Sequence, residues 1–362
     1  MKITIVAGAR PNFMKIAPII RAIKEENNAK IQFRLVHTGQ HYDRKMSGDF
    51  FDELGIPMPD ANLGAGSGSQ AEQTASIMVG FEKELLQNPP TVVLVVGDVT
   101  STMACSITSK KLNIPVVHVE GGIRSGDMSM PEEINRIVTD SISDHFFTTS
   151  ELANQNLRYT GITDERIHFV GNTMIDTLLS NLNRLEDPKL NFQDKPLEEK
   201  KYMVLTLHRP ANVDEETKLK QMMDTIVKGC APFPVVFPVH PRTAQILHSL
   251  GILYDNLITV EPLSYLKFNY LVKNALGVIT DSGGITEETT VLEVPCITLR
   301  DNTERPETVD MGTNELVGTD PTKLPPFLEK IKSGNWKKGK TPPLWDGKAA
   351  QRIVSKLKEI YG

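Results

Sequence analysis

Long hydrophobic runs are missing from this chain. No apolar stretch of 18 residues occurs in its 362 residues, so no membrane-spanning helix is expected. Cysteine is scarce as well. Cys105, Cys230 and Cys296 lie far apart and form no CxxC pair, which argues against a zinc site and for a reducing compartment. Neither sign of charge is in surplus: 40 Lys and Arg stand against 45 Asp and Glu, a formal net charge of -5. The basic excess that a nucleic acid or an anionic membrane would ask for is absent, and a small anionic ligand would need cations placed locally. Nucleotide signatures are also few. The segment after the first apolar run, GARPNFMK, lacks the GxGxxG spacing of a dinucleotide site, and no Walker A sequence or DxD metal motif stands out. No cofactor and no metal is expected. Met1 opens straight into a strand-like run with no secretory h-region, so a soluble, cytoplasmic protein is expected.

What is present is alternation. Apolar content of 40% is ample for ordinary cores, and at roughly 100–200 residues per domain the length suggests two domains. Val- and Ile-rich runs occupy Ile3–Ala7, Gln32–His37, Val92–Val96, Val116–Val119, His145–Thr148 and Ile167–Val170. They lack period-2 alternation, as strands buried on both faces of a parallel sheet do. Helical patterns such as Lys15–Glu26 and Glu132–Ser143 fill the gaps, giving βαβ architecture. A polar stretch at 183–201 has linker composition. The pattern then restarts with Met203–Leu207, Val235–Val239, Leu257–Val260, Gly277–Thr280 and Cys296–Leu299. The expected organisation is α/β: a doubly wound domain over 1–182, the linker 183–201, and a second doubly wound domain over 202–341. A C-terminal amphipathic helix over 342–362 is placed to pack back on the first domain. Within the first domain, residues 63–73 (LGAGSGSQAEQ) read as the most flexible loop.

Open parallel sheets bind ligands beyond the carboxyl ends of their strands, so the residues there carry the functional reading. After the first run come Arg10 at the turn and Lys15 in the next helix; two cations beside a helix N-terminus suit an anion. After the third comes Asp98, which either caps the following helix or points a carboxylate at a ligand. The fourth run ends in HVEGGIRSGDMSMPEEINR, residues 118–136. Pro131 suits a first helical position, and Glu132 and Glu133 complement a helix dipole. That logic leaves Glu120 unexplained, because a strand end has no helix to cap. Gly121-Gly122 permits backbone closed to other residues, or a close approach to a ligand. Arg124 is placed to hold the loop between Glu120 and Glu132.

In the second half His208 follows a strand directly, and His240 and Arg242 stand in the same relative place. A further strand ends at Asp281, followed by Ser282-Gly283-Gly284 opening a helix, whose free N–H groups suit a phosphate. Glu288, in the first turns of that helix, is placed to reach a ribose diol. Arg300 and Arg305 belong to another strand end.

Taken in order, GARPNFMK, HTGQHYD, GDVTST, HVEGGIRS, MPEEINR, VGNTMID, LHRPANVD, TDSGGITEE and NTERPET resemble the motifs of the non-hydrolysing UDP-N-acetylglucosamine 2-epimerases over nearly the whole chain. The resemblance implies a GT-B architecture of two doubly wound parallel-sheet domains facing across a cleft, UDP-N-acetylglucosamine or UDP as ligand, and a homodimer. It implies Arg10 and Lys15 at the nucleotide sugar, Asp98, Glu120, Glu132 and His208 as the acid/base set, and Leu263, Phe268, Ser282, Gly283, Gly284, Glu288 and Arg305 at the UDP. Carbon 2 of such a sugar is not beside a carbonyl, so direct deprotonation is very unfavourable. The implied chemistry is therefore anti elimination of UDP to 2-acetamidoglucal, followed by re-addition. Two departures stand out. The family's usual Glu-Ala-Gly-Leu-Arg reads Glu120-Gly-Gly-Ile-Arg124, with little change expected. The HRRE common in bacterial relatives reads HRPA from His208, which removes a charged pair near a proposed regulatory site.

Overall fold

The computed structural model describes residues 1–26, 30–39, 51–213, 215–239, 241–252 and 254–362. The chain forms two compact units, Met1–Ser180 with Pro343–Gly362, and Asn181–Pro342. Among the described residues no helix is long and apolar enough to cross a membrane, and no group of three or more His, Cys, Asp or Glu is set to hold a metal ion.

The first unit is built on a parallel sheet of order β3-β2-β1-β4-β5-β6-β7. Its strands are β1 (Lys2–Ala7), β2 (Gln32–His37), β3 (Ala61–Asn62), β4 (Val92–Val96), β5 (Val116–Val119), β6 (His145–Thr148) and β7 (Ile167–Phe169). All five residues of β4 are buried, which is why that run shows no polar alternation. Val93 and Val95 pack with Ile77, Phe81 and Leu85 of the helix Gln70–Gln87. That helix starts inside the glycine-rich loop: Ser69 accepts from the Glu72 amide at 3.3 Å and its own amide donates to the Glu72 carboxylate at 2.9 Å. This capping box gives the 63–73 segment a defined end.

The C-terminal segment completes this unit. Trp345 is 2% exposed and donates through its indole N–H to the Thr149 carbonyl at 3.0 Å. The helix Ala349–Tyr361 buries Ile353, Val354 and Leu357 and packs on the helix Arg10–Glu25. Its first amides, from Ala349 and Ala350, donate to the Asp176 carboxylate at 3.1 and 2.7 Å. Burial pushes the Asp176 carboxyl up to about 6, against the pull of those two hydrogen bonds. An Asp176→Ala variant leaves both amides without their acceptor and should cost about 1–2 kcal/mol of stability. Thermal melting and early proteolytic release of the last twenty or so residues would read the effect; unchanged melting would show that the cap contributes nothing.

The second unit carries a parallel sheet and a short antiparallel hairpin. The hairpin pairs β8 (Asn191–Phe192) with β9 (Lys195–Pro196). It falls within 183–201, the stretch of linker-like composition, so those residues are folded into the second unit. Strands of two residues leave no periodic trace in a sequence. The sheet has order β12-β11-β10-β13-β14-β15, from β10 (Met203–Thr206), β11 (Val235–Pro238), β12 (Leu257–Val260), β13 (Gly277–Thr280), β14 (Cys296–Thr298) and β15 (Asn314–Leu316). In both sheets the strand order reverses beside the first strand, between β1 and β4 and between β10 and β13. The carboxyl ends at such a reversal are where ligands of open sheets bind.

Candidate active site

In the first unit the reversal gathers the β1, β4 and β5 ends. The Asn12 side chain accepts from the amides of Gly8 and Ala9 at 3.0 and 3.1 Å and donates to the Val96 carbonyl at 3.1 Å. It thus ties the first strand–helix turn to β4. Lys15, on the same helix, reaches a Glu120 carboxylate oxygen at 2.5 Å, with the two side chains 9% and 2% exposed. Few arrangements hold such a pair, because desolvating two charges costs nearly as much as their attraction returns. Gly97, at φ +66, makes room: a Cβ there would lie 2.8 Å from the Lys15 ammonium. Glu120 itself has φ +70. A non-glycine residue in that region stores of order 1–3 kcal/mol, which the surrounding contacts must offset.

Behind Glu120 lies a second charged cluster. His118 is fully buried; Nδ1 meets Asp140 at 2.7 Å and Nε2 meets the Gly97 carbonyl at 2.8 Å. Both ring nitrogens thus face oxygen atoms, which fixes the ring between β4 and the Asp140 helix. Asp140 also accepts from the Gly122 amide at 3.0 Å and from Arg124 at 2.6 Å. Burial alone would raise the Asp140 carboxyl, but the bonds and charges of His118 and Arg124 outweigh it and hold the group below the usual range. Arg124 therefore anchors the turn to Asp140. The loop towards Glu132 is held instead by Glu133, which accepts from Ser125 N at 2.9 Å, Ser125 Oγ at 3.0 Å and Gly126 N at 3.1 Å. Gly122 has φ +82, and a Cβ on it would meet the Ala153 carbonyl at 2.3 Å. Gly122 thus allows a close approach to the helix Glu151–Tyr159, and Gly121 one to the Phe146 ring, which a Cβ would meet at 2.9 Å.

Asp98 does not cap the helix Thr100–Lys111, whose N-cap is Val99 with no side-chain bond. One Asp98 oxygen receives Arg136 Nη2 at 2.5 Å and Nε at 3.0 Å, and Arg136 Nη1 reaches Glu133 at 2.7 Å. Arg136 is thus a site-organising residue, legible in hindsight from its i,i+3 spacing to Glu133. Glu132 starts the helix Pro131–Ile142 half-buried. Arg10, the first residue of the helix Arg10–Glu25, is exposed. Lys15 and Glu120 are thus in contact and Asp98 follows Gly97 directly, while Glu132 stands in the first turn of the helix that carries Arg136.

In the second unit His208 follows β10 and Asp281 follows β13, neighbouring strands with Thr206 opposite Thr280. His208 Nδ1 lies 2.7 Å from Asp281; the imidazole is 62% exposed and the carboxylate fully buried. Asp281 also accepts from the amides of His208 at 3.0 Å and Arg209 at 2.9 Å and from Asn212 Nδ2 at 3.1 Å. Burial would raise this carboxyl, but those bonds and the His208 charge hold it below the usual range. The pair fixes the ring with Nδ1–H inward and Nε2 free to face solvent.

Ser282, Gly283 and Gly284 open the helix Gly283–Val291, and all three are half-buried. Glu288 is buried and accepts from Tyr265 at 2.9 Å and Asn269 at 3.4 Å; burial pushes its carboxyl up to about 7. Tyr265 lies on the helix Tyr265–Asn274, which also carries Phe268. Phe268 and Leu263 pack half-buried against the Val204, Leu271 and Val278 core. Arg305 Nε pairs with Glu287 at 2.5 Å, next along the helix from Glu288. His240 lies outside the described residues.

Two doubly wound sheets, each with charged groups at the reversal of strand order, define an α/β enzyme of the GT-B class. A family model for UDP-N-acetylglucosamine 2-epimerases matches residues 21–358, and the chain belongs to that family. It is 43% identical, over the full length of both chains, to a UDP-N-acetylglucosamine 2-epimerase of Methanocaldococcus jannaschii. The crystal structure of the UDP-GlcNAc 2-epimerase of that organism in complex with UDP-GlcNAc and UDP superposes with a TM-score of 0.86 at 40% identity, covering 99% of this chain and 100% of the other. A UDP-2,3-diacetamido-2,3-dideoxy-D-glucuronate 2-epimerase of Pseudomonas aeruginosa is 38% identical over 88% of each chain. The chain is an epimerase by family.

Proposed function

We propose that this protein interconverts UDP-N-acetylglucosamine and UDP-N-acetylmannosamine without hydrolysis. The observation that carries the reading is the buried Lys15–Glu120 pair, 2.5 Å apart, with its acid held on a left-handed strand end. In the proposed reaction UDP leaves carbon 1, stabilised by Arg10, Arg305 and the Ser282-Gly283-Gly284 turn. Positive charge developing at carbon 1 acidifies carbon 2. The carboxylates of Asp98, Glu120 and Glu132 take up and return the carbon 2 proton, because inversion needs a proton handled on each face. Lys15 positions Glu120 through their ion pair, and His208 serves the leaving diphosphate through Nε2. Leu263 and Phe268 flank the uracil, and Glu288 accepts from the ribose hydroxyls.

Turnover in heavy water tests the scheme: deuterium should enter carbon 2 as the product forms. Product without solvent deuterium would sink it, and free N-acetylmannosamine with UDP would show a hydrolysing enzyme. The likeness to the Pseudomonas enzyme makes a diacetamido-glucuronate substrate the reading to compare, by product analysis on a panel of UDP-sugars. In the cell the product would supply N-acetylmannosamine units to surface polysaccharide from the cytoplasm.

Glu288 gives the proposal a pH signature. Ribose hydroxyls donate to a carboxylate, so binding lowers a carboxyl pKa that burial has raised to about 7. A proton then leaves on binding. UDP affinity should rise as pH climbs to about 7, level off above it, and fall by about tenfold per unit below it. Calorimetric titration of wild type and Glu288→Gln should show the slope in the first only; equal slopes would remove Glu288 from the ribose.

A homodimer is part of the proposal. The helices Gln70–Gln87 and Pro131–Ile142 both pack on Thr100–Lys111, and they expose Val79, Leu86, Ile134 and Ile137 by 39–67%. A second copy would cover such apolar groups, and light scattering would report it.

A further inference from the structure

Arg300, two residues past β14, is 4% exposed. Its Nη2 donates to Asn302 Oδ1 at 3.2 Å and lies 2.6 Å from Glu304. Its Nη1 is buried and has no hydrogen-bond partner among the described residues. That nitrogen lies near the start of a helix: a Cβ built on Gly283 would stand 3.8 Å from Nη1, and closer, at 3.2 Å, to the other Glu304 oxygen. Gly283 is the first residue of the nine-residue helix Gly283–Val291, whose first amides have no partner within the helix. Glu304 also stands 3.9 Å from Arg209, whose Nε donates to the Asp281 carbonyl at 3.0 Å. The buried guanidinium is therefore held through Nη2 by Glu304 and Asn302, with its Nη1 donor left over near the start of a helix.

A buried donor of a permanent cation left without an acceptor is costly, and an anionic oxygen placed there recovers that cost. Two features converge on the same point, the helix start and the unspent guanidinium donor. Each suits a phosphoryl oxygen, and a neutral sugar or base would leave the charge unmatched.

We propose that Arg300 is a further diphosphate-binding residue, donating through Nη1 to a phosphoryl oxygen seated at the Gly283 amide, with Glu304 fixing the guanidinium plane. The assignment rests on the reading that the Ser282-Gly283-Gly284 turn takes the diphosphate. It adds a bidentate-capable cation to the groups already proposed for the diphosphate, namely the turn, Arg10, Arg305 and His208. The competing arrangement is that Glu304 is the only anion this turn holds, with Arg300 serving merely to neutralise it.

The experiment compares UDP with uridine by calorimetry on wild type, Arg300→Met and Arg300→Lys, with circular dichroism to confirm folding. Arg300→Met should weaken UDP by about 10–100-fold, the size of a lost charge-assisted hydrogen bond. Uridine affinity should stay within about threefold, and Arg300→Lys should recover part of the UDP loss by restoring charge without the fork. The uridine control separates a binding contact from a general loosening, since a deformed unit would lose both ligands together. Equal losses for UDP and uridine, or no loss for either, would overturn the assignment and favour the competing arrangement. A wild-type protein that bound uridine as tightly as UDP would overturn the underlying diphosphate reading instead.

Discussion

Glu120→Gln should lower epimerisation by about 10²–10⁴-fold while UDP still binds. Glutamine keeps the shape of the side chain, so the loss isolates the carboxylate. It also strands a charge, because the Lys15 side chain is 9% exposed and Glu120 is its ion-pair partner at 2.5 Å. Removing one member of such a pair typically costs about 3–5 kcal/mol, whereas replacing both by apolar groups can be nearly neutral. The single variant should therefore melt early, and Lys15→Met with Glu120→Gln should recover much of the stability and none of the turnover. Denaturant titration and a product assay on the same samples separate the two effects. Near wild-type turnover in Glu120→Gln would remove Glu120 from the chemistry.

Asp281→Asn should be the most damaging change in the second unit. Its carboxylate accepts from His208 N, Arg209 N and Asn212 Nδ2 and faces His208 Nδ1 at 2.7 Å. An asparagine turns one of the two acceptor oxygens into a donor, so at least one buried contact becomes donor against donor. Each such clash costs about 1–3 kcal/mol, and the imidazole loses the bond that selects its tautomer. The expected loss in kcat is about 10²-fold or more, with KM changed far less. A purely structural role would instead lower the amount of folded protein and leave its pH profile alone. Asp281→Asn should displace the pH profile of kcat, and combining it with His208→Gln should add little to either single loss. Effects that multiply in the double variant would show that the two residues act separately.

The central strands were plain in the sequence because burial on both faces strips them of polar alternation. The five residues of β4 are all buried, and the Val92–Val96 run predicts them. The short pieces left no such trace: β3 and β8 have two residues each and β15 three. Glu120 was legible by elimination, since nothing local explained an acid at a strand end. Asp281 was visible as a strand end, but its partnership with His208 was not. The two are 73 residues apart and meet only because β10 and β13 are neighbours. The same holds for Asp98 with Arg136, 38 residues apart, and for His118 with Asp140. Local rules read Asp98 as a helix cap as readily as a cleft acid, and only its placement against Arg136 removes the cap. Asn12 carried no signal, because an Asn in a first helical turn is ordinary.

The first unit is written in two pieces, Met1–Ser180 and Pro343–Gly362, with the whole of the second between them. During synthesis the chain emerges from its N-terminus, and at about 5–20 residues per second the second unit is complete before Trp345 leaves the ribosome. The first unit must then wait with its Arg10–Glu25 helix lacking the partner that packs on it, for many seconds, until the Ala349–Tyr361 helix arrives. The unit that is begun first of the two is thus finished last, and its exposure to aggregation is set by the length of the insert. Chaperone dependence in vivo should accordingly follow the delay before the last twenty residues appear.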